Sequence, residues 1–343
     1  MSESDNIYIN VSINHDDAYL QTPSPARYKI TQTVPIIYNP SNYYCSIIRF
    51  DIPLLDVPLY IFPILPNSGT SQTSPLVIGI TYNGIDYPVN LIYVADNSYS
   101  PVNQTNQNKQ IITPYYFVYD YQNMINSINT ALSTAISKAG ITGVTIYFYI
   151  VPNEQLLYLS LNGVTALKSS GATIFINEYL YNYLAGFEFT FINYESLTHN
   201  YNLKITYPPS SVTIPDPYNI PQQYNNFMYW NSLKKILITS NSLPIQNEFI
   251  DSSNTNGETI GLPIITDFTP TFEFPGQTRS IAYYYPQSQY RLVDMKSNSP
   301  ITSLDLNIYW EDKHNNVYPL CLDNYSQVNI KLGFFNKNLY KNR

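Results

Sequence analysis

Two stretches near the C-terminus alternate so strictly that each reads as a strand buried on one side. Leu304, Leu306, Ile308 and Trp310 share one face of the first, with Asp305 and Asn307 between them. Val328, Ile330, Leu332 and Phe334 do the same in the second, around Asn329 and Lys331. A period of two with polar residues on the far side is the pattern of an antiparallel sheet lying on a core. Strand signals recur along the chain at intervals of about 8–12 residues, the spacing of a sandwich or barrel. Residues 27–38 and 43–50 flank the breakers Asn39, Pro40, Ser41 and Asn42, and residues 144–151 and 156–161 flank Pro152 to Gln155. Residues 76–82 and 85–94 flank Asn83-Gly84, the preferred pair for a type I′ hairpin turn. Further strands are expected over 187–191, 201–207 and 233–240.

One long helix interrupts this pattern. Asp120 is a suitable N-cap, and Tyr121, Met124, Ile125, Ile128, Leu132, Ala135 and Ile136 recur at three and four residues, with Lys138 in the last turn and Gly140 beyond it. The spacing predicts a surface helix over about 120–139 that lays an apolar stripe on a sheet and turns Gln122, Asn126, Asn129 and Ser133 to water. A short helix is expected over 178–185, with Leu180 and Leu184 inward. Residues 66–75, 96–109 and 208–226 read as long loops or insertions. The fold class is therefore all-β, with one long surface helix and β-rich loop insertions.

Composition narrows the function. Only 12% of residues are charged, far below the usual quarter, whereas 15% are aromatic and 35 are tyrosine, so the surface is polar without being ionic. Aromatic and β-branched content excludes disorder. A net charge of −7 excludes a general nucleic-acid coat. Cys45 and Cys321 are too few for a disulfide framework and read as reduced core residues. The first residues resemble no signal peptide. The most apolar stretch, 47–66, is broken by Arg49, Asp51, Asp56 and four prolines, which rules out a membrane helix there.

A search for chemistry finds little. His15, His199 and His314 lie far apart, and 311–316, containing His314, reads as a solvated hairpin loop between Trp310 and Val317. No zinc spacing, phosphate loop or nucleophile elbow occurs. The stretch 251–258 superficially matches a calcium loop, but Pro263 stands where a bidentate Glu is required. Glu178, Glu188, Glu195, Glu248 or Glu273 could supply a glycosidase carboxylate pair, with nothing to single out any two. Tyr283 to Tyr285 could form a stacking platform, although so many tyrosines suit subunit interfaces better. No catalytic, cofactor or metal residue is assigned, and an enzyme is not expected.

Residues 46–53 (SIIRFDIP) leading to 57–63 (VPLYIFP) resemble the early strands of the minor, penton-type capsid proteins of virophages and polinton-like double-stranded DNA viruses. The likeness continues through the helix 120–139, the hairpin 144–161, residues 174–177 (IFIN) and Gly186-Phe187. It ends with 235–244 (KILITSNSLP), 290–295 (YRLVDM), 297–306 (SNSPITSLDL), 309–312 (YWED) and 330–335 (IKLGFF). It covers about 27–336 and rests on order, spacing and strand pattern.

The resemblance implies a jelly-roll β-sandwich without catalytic residues. It also implies a structural protein of the virion that forms homopentamers at the fivefold vertices of an icosahedral capsid, beside a double-jelly-roll major capsid protein, with assembly in the host cytoplasm. A trimeric spike, attachment or glycan-binding protein on the same kind of sandwich, and a glycan hydrolase, are the alternatives. On this basis the chain divides into an N-terminal arm (1–26), a jelly-roll domain (27–336) with insertions near 66–110 and 208–226, and a basic C-terminal tail (337–343). The tail follows a stretch without acidic residues after Asp323, and Lys337, Lys341 and Arg343 either contact the packaged genome or form a solvated, solubilising end.

Overall fold

Three strands open the chain in the computed structural model: β1 (Ile7–Asn14), β2 (Arg27–Thr31) and β3 (Tyr43–Pro53). The middle supplies β4 (Thr73–Tyr82), β5 (Ile85–Ile92), helix α1 (Tyr121–Lys138), β6 (Thr145–Val151), β7 (Leu156–Asn162) and β8 (Thr173–Ile176). Helix α2 (Glu178–Leu184), β9 (Phe189–Phe191), β10 (Tyr201–Leu203) and β11 (Tyr218–Pro221) follow. The chain then adds β12 (Leu233–Thr239), β13 (Ile264–Phe268), β14 (Ile281–Tyr284), β15 (Ser303–Asp312) and β16 (Gln327–Asn336). The structure describes residues 5–14, 24–53, 57–65, 72–94, 116–118, 120–207, 212–251, 259–270, 281–284, 291–313, 315–322 and 326–340.

The first and last strands build a sandwich. One sheet runs β1-β16-β3-β14, and the other runs β13-β12-β15 with β2 on the outer side of β15. Counted along the sandwich, strands one, eight, three and six face strands two, seven, four and five, which is the order of a jelly roll. The two alternating strands behave as their pattern demands. Leu304, Leu306, Ile308, Trp310, Val328, Ile330, Leu332 and Phe334 are all buried between the sheets, where they meet Val11, Ile47, Phe50, Ile236 and Ile238. Phe50 on one sheet lies 4.5 Å from Phe268 on the other.

Residues 59–230 have a core of their own, separate from that of the sandwich. This unit is inserted between β3 and β12, and its entry and exit are tied together. Ser232 N–H donates to Leu59 O (2.9 Å), and Ser232 Oγ accepts from Ile61 N–H (3.3 Å). Inside it, a sheet β9-β10-β8-β4-β5 and a sheet β11-β7-β6 enclose one side of α1. Asp120 accepts from Asn123 N–H at 2.7 Å, as an N-cap should, and Met124, Ile125, Ile128, Leu132 and Ala135 are fully buried. Each large apolar side chain so removed from water contributes about 1.5–3 kcal/mol. The β4–β5 turn has Asn83 at φ 50° and Gly84 at φ 75°, the left-handed pair that a type I′ turn needs. Gly79 in β4 leaves room for Phe175, whose ring carbon would lie 2.3 Å from a Cβ there.

Several expectations need correcting. The long helix and its hairpins belong to the inserted unit; an apolar helical stripe needs a sheet to cover it, and the facing sheets of the jelly roll are already filled by each other. The N-terminal stretch expected as an arm supplies β1, which pairs with β16 from Ile7↔Phe334 to Asn14↔Gln327. The strand expected over 27–38 stops at Thr31, ahead of Pro35. Residues 208–226 are not simply a loop, since they contain β11 and the buried Gln222 and Asn226. Asn129 does not face water: its amide donates to Phe148 O (2.9 Å) and accepts from Phe148 N–H (2.7 Å), satisfying the open side of β6. Residues 15–23, 66–71, 95–115, 252–258 and 285–290, which include His15, most of two expected loops, most of the calcium-like stretch and Tyr285, lie outside the described residues.

Candidate functional site

The surfaces available to neighbours are set by a few anchored polar nodes. At the end of β12, Asp305 accepts from Ser240 Oγ (3.0 Å), Ser242 N–H (2.7 Å) and Asn241 N–H (3.2 Å). Partial burial opposes its ionisation, but the donors from Ser242, Asn241 and Ser240 outweigh burial and hold the carboxyl below its ordinary value. The turn 240–242 is thereby fixed against β15.

On the outer side of the same sheet, Glu311 is almost completely buried. Lys234 Nζ reaches its Oε1 at 2.7 Å, and Lys235 Nζ lies 3.3 Å from Oε2 and 3.6 Å from Asp267. Arg291 continues the chain of charges, with NH1 2.7 Å from Asp267 and a second contact to Glu248. Asp312 is also buried, and it accepts from Asn316 N–H (2.8 Å), Asn316 Nδ2 (2.9 Å) and Tyr318 OH (3.1 Å). The expected solvated loop 311–316 is thus partly a buried polar node. Two carboxylates are tolerated there because lysines from β12 and a tyrosine from the return strand reach them. His314 itself lies outside the described residues.

In the inserted unit, His199 stacks on Phe175 at 4.1 Å, with Nδ1 2.8 Å from Asp86 and Nε2 2.5 Å from Asn202 Oδ1. Burial alone would raise the Asp86 carboxyl; hydrogen bonds from Thr81 and His199, together with the charge of His199, hold it below its ordinary value. Ser196 Oγ accepts from the backbone N–H of His199 (2.9 Å) rather than facing its ring, so the arrangement clamps a loop and is no nucleophile–base pair. Asn200 Nδ2 donates to Asn193 O and Ser196 O, and Asn177 Nδ2 donates to Leu197 O. The loop so fixed exposes Ile192, Tyr194 and Leu197, the last at 80%. Ordered apolar side chains held outward are a mark of interaction surfaces. Asn193 and Ser196, three residues apart, were the available sequence signal for this loop.

The candidate carboxylates are spread over different elements: Glu178 sits at the start of α2, Glu188 pairs with Lys204 beside β10, Glu195 is in the loop after β9, and Glu248 pairs with Arg291 on the sandwich, while Glu273 lies outside the described residues. Cys45 is fully buried, which pushes its thiol up to about 12 despite the nearby Arg291; Cys321 is only half-buried, and neither forms a disulfide. At the C-terminus, Lys337 starts a short helix (Lys337–Tyr340), pairs with Asp294, donates to Ser41 O (2.5 Å) and lies 5.1 Å over the Tyr44 ring. It is a structural anchor, already neutralised, and not the free cation expected of a genome-facing tail. Lys341 and Arg343 lie outside the described residues.

Residues 7–337 match the family model of the Sputnik minor capsid protein V18/19. Over 146 residues, 40% of this chain and 85% of the relative, it is 33% identical to the uncharacterized protein V18 of Sputnik virophage. Over 138 residues it is 31% identical to the structural protein V19 of the same virophage, of which the match spans 61%. A chain of the Sputnik virophage cryo-EM structure superposes with a TM-score of 0.80 at 25% identity, covering 98% of this chain and 99% of that one. The crystal structure of the mavirus penton protein superposes with a TM-score of 0.66 at 16% identity, covering 97% and 99%. Because both superpositions span nearly the whole length, the inserted unit is shared along with the jelly roll. The chain is therefore a structural protein of the virion capsid and belongs to the Sputnik minor capsid protein V18/19 family.

Proposed function

We propose that this chain is a penton protein: a homopentamer closing the fivefold vertices of an icosahedral virophage-type capsid and contacting a double-jelly-roll major capsid protein, with no enzymatic activity. The observation that carries the reading is the family match over 7–337, supported by likeness of fold to the mavirus penton protein. A head-to-tail contact whose rotation closes after five copies makes a ring of jelly rolls. Few charges and many tyrosines suit walls covered by neighbours, where aromatic rings bury area and hydroxyls find partners. On this reading the particle assembles in the host cytoplasm. Among the described residues, no helix is long and apolar enough to cross a membrane.

Native mass measurement on the full chain, alone and mixed with the major capsid protein, tests the stoichiometry. A species of five times the 39.4 kDa chain is expected. A trimer under both conditions would refute the pentamer and favour a spike.

A further inference from the structure

We propose that the outer face of the β11-β7-β6 sheet is a binding surface for an uncharged, extended polysaccharide. The strand alternation defines this face. Ile146, Phe148, Leu157, Leu159 and Leu161 point into the core of the inserted unit, so Tyr147, Tyr149, Tyr158 and Ser160 point away from it. Register adds the exposed Pro221 opposite Tyr158 and the exposed Asn219 opposite Ser160. The result is two adjoining rows across three strands: Tyr149, Tyr158 and Pro221 in one, Tyr147, Ser160 and Asn219 in the other.

The three tyrosine rings form a contiguous, angled patch, with Tyr149 meeting Tyr158 across the strands and Tyr147 along its own strand. Tyr147 and Tyr149 are 5.8 Å apart between centroids, and Tyr149 and Tyr158 are 5.6 Å apart, with interplanar angles of 42° and 37°. All three rings are half-buried, so each keeps part of its surface open to solvent. Their spacing is close to the repeat of an extended, equatorially linked pyranose chain, whose C–H faces lie on aromatic rings while its hydroxyls need donors and acceptors. The second row offers these. Ser160 is 0% exposed, yet its Oγ has no hydrogen-bond partner, a feature that in a native protein calls for an explanation. Ser160 lies directly opposite Tyr147 and Asn219, so its hydroxyl belongs to the same face as the rings.

Charge selects the ligand class. The patch holds no lysine or arginine, and Glu154, beside it, already accepts from the Tyr158 hydroxyl. A phosphate or uronate chain would meet no counter-charge there and would approach a protein of net charge −7. An uncharged glycan meets neither obstacle.

The test uses the full chain in solution and does not depend on where the protein sits in a particle, so its failure leaves the vertex reading standing. Cellohexaose and chitohexaose are titrated by calorimetry, with a polygalacturonate hexamer as the charged control. Binding of at least one neutral hexamer is expected, with a Kd of about 10 μM to 1 mM. Tyr149→Ala should weaken it about 10-fold or more, and Tyr149→Trp should retain it. Tyr229→Ala, which removes a ring 71% exposed elsewhere in the unit, should leave it unchanged. If Tyr149→Ala fails to fold, Tyr149→Leu takes its place. The proposal is overturned if neither neutral hexamer binds at about 10 mM, a concentration that would reveal even very weak association. It is also overturned if only the charged hexamer binds, or if the folded Tyr149 variant binds as tightly as the parent chain. Loss of self-association in that variant, without sugar binding, would assign the face to contact between copies and equally overturn it.

Discussion

Ile330→Ala and Leu132→Ala remove comparable volume from the two separate cores, and the chain carries a reporter in each. Ile330 is 2% exposed and lies between Val11 on β1 and Phe50 on β3 in the first sandwich sheet. Leu132 is 0% exposed on the buried side of α1. Truncating either side chain should cost about 2–5 kcal/mol, from lost transfer energy and the cavity left behind. Ile330→Val should cost about 1 kcal/mol, whereas Ile330→Asp, which strands a charge between two sheets, should prevent folding of the sandwich. The chain's two tryptophans divide between the units, Trp310 in the sandwich and Trp230 in the inserted core, both nearly fully buried. Single-tryptophan versions, made with Trp→Phe at the other site, therefore report each core by fluorescence during thermal or urea unfolding. Ile330→Ala is expected to shift the Trp310 transition by several degrees and the Trp230 transition by less, with Leu132→Ala doing the reverse. Equal shifts of both reporters in both variants would show one cooperative core and refute the division drawn here.

Cys45 should resist alkylation by iodoacetamide at pH 8 while Cys321 reacts, and both should react in urea; rapid labelling of native Cys45 would contradict its burial. The folded state holds Asp305 below its unfolded pKa of about 3.9, so its contribution is present above that pH and is lost as pH falls through the folded value. Asp305→Asn should therefore lower the Trp310 transition at neutral pH by about 1 kcal/mol and lessen the difference from the parent chain in acid, as read by melts between pH 2 and pH 7. Lys337→Ala should lower sandwich stability without changing the salt dependence of any DNA binding, because that lysine already faces Asp294; a smaller salt slope would restore it to the genome-facing set.

Much of the sandwich was legible because its strands are buried on one face, and a period of two survives any detail of connection. The turn at Asn83-Gly84 and the cap at Asp120 were legible because left-handed φ and an orphan helix N–H each demand particular residues nearby. What was not legible depended on partners far away in sequence. Residues 7–14 do alternate, with Ile7, Ile9, Val11 and Ile13 on one face, but the edge that makes them a sheet strand belongs to β16, more than 300 residues later. Glu311 and Asp312 look like loop residues until Lys234, Lys235 and Tyr318 are brought to them. Asn129 sits on the polar side of a helical wheel, and only the open side of β6 gives its amide a reason to be there. The existence of a second core was hidden for the same reason, since a hydrophobic pattern shows that a face is buried without showing against what.

The most direct test of the vertex assignment is a reconstruction of the virus particle with this chain located by fit or by antibody label. The account predicts density for its jelly roll and inserted unit in rings of five at the icosahedral vertices alone, each bordered by the major capsid protein. Finding the chain at the quasi-sixfold positions, or absent from particles, would contradict it.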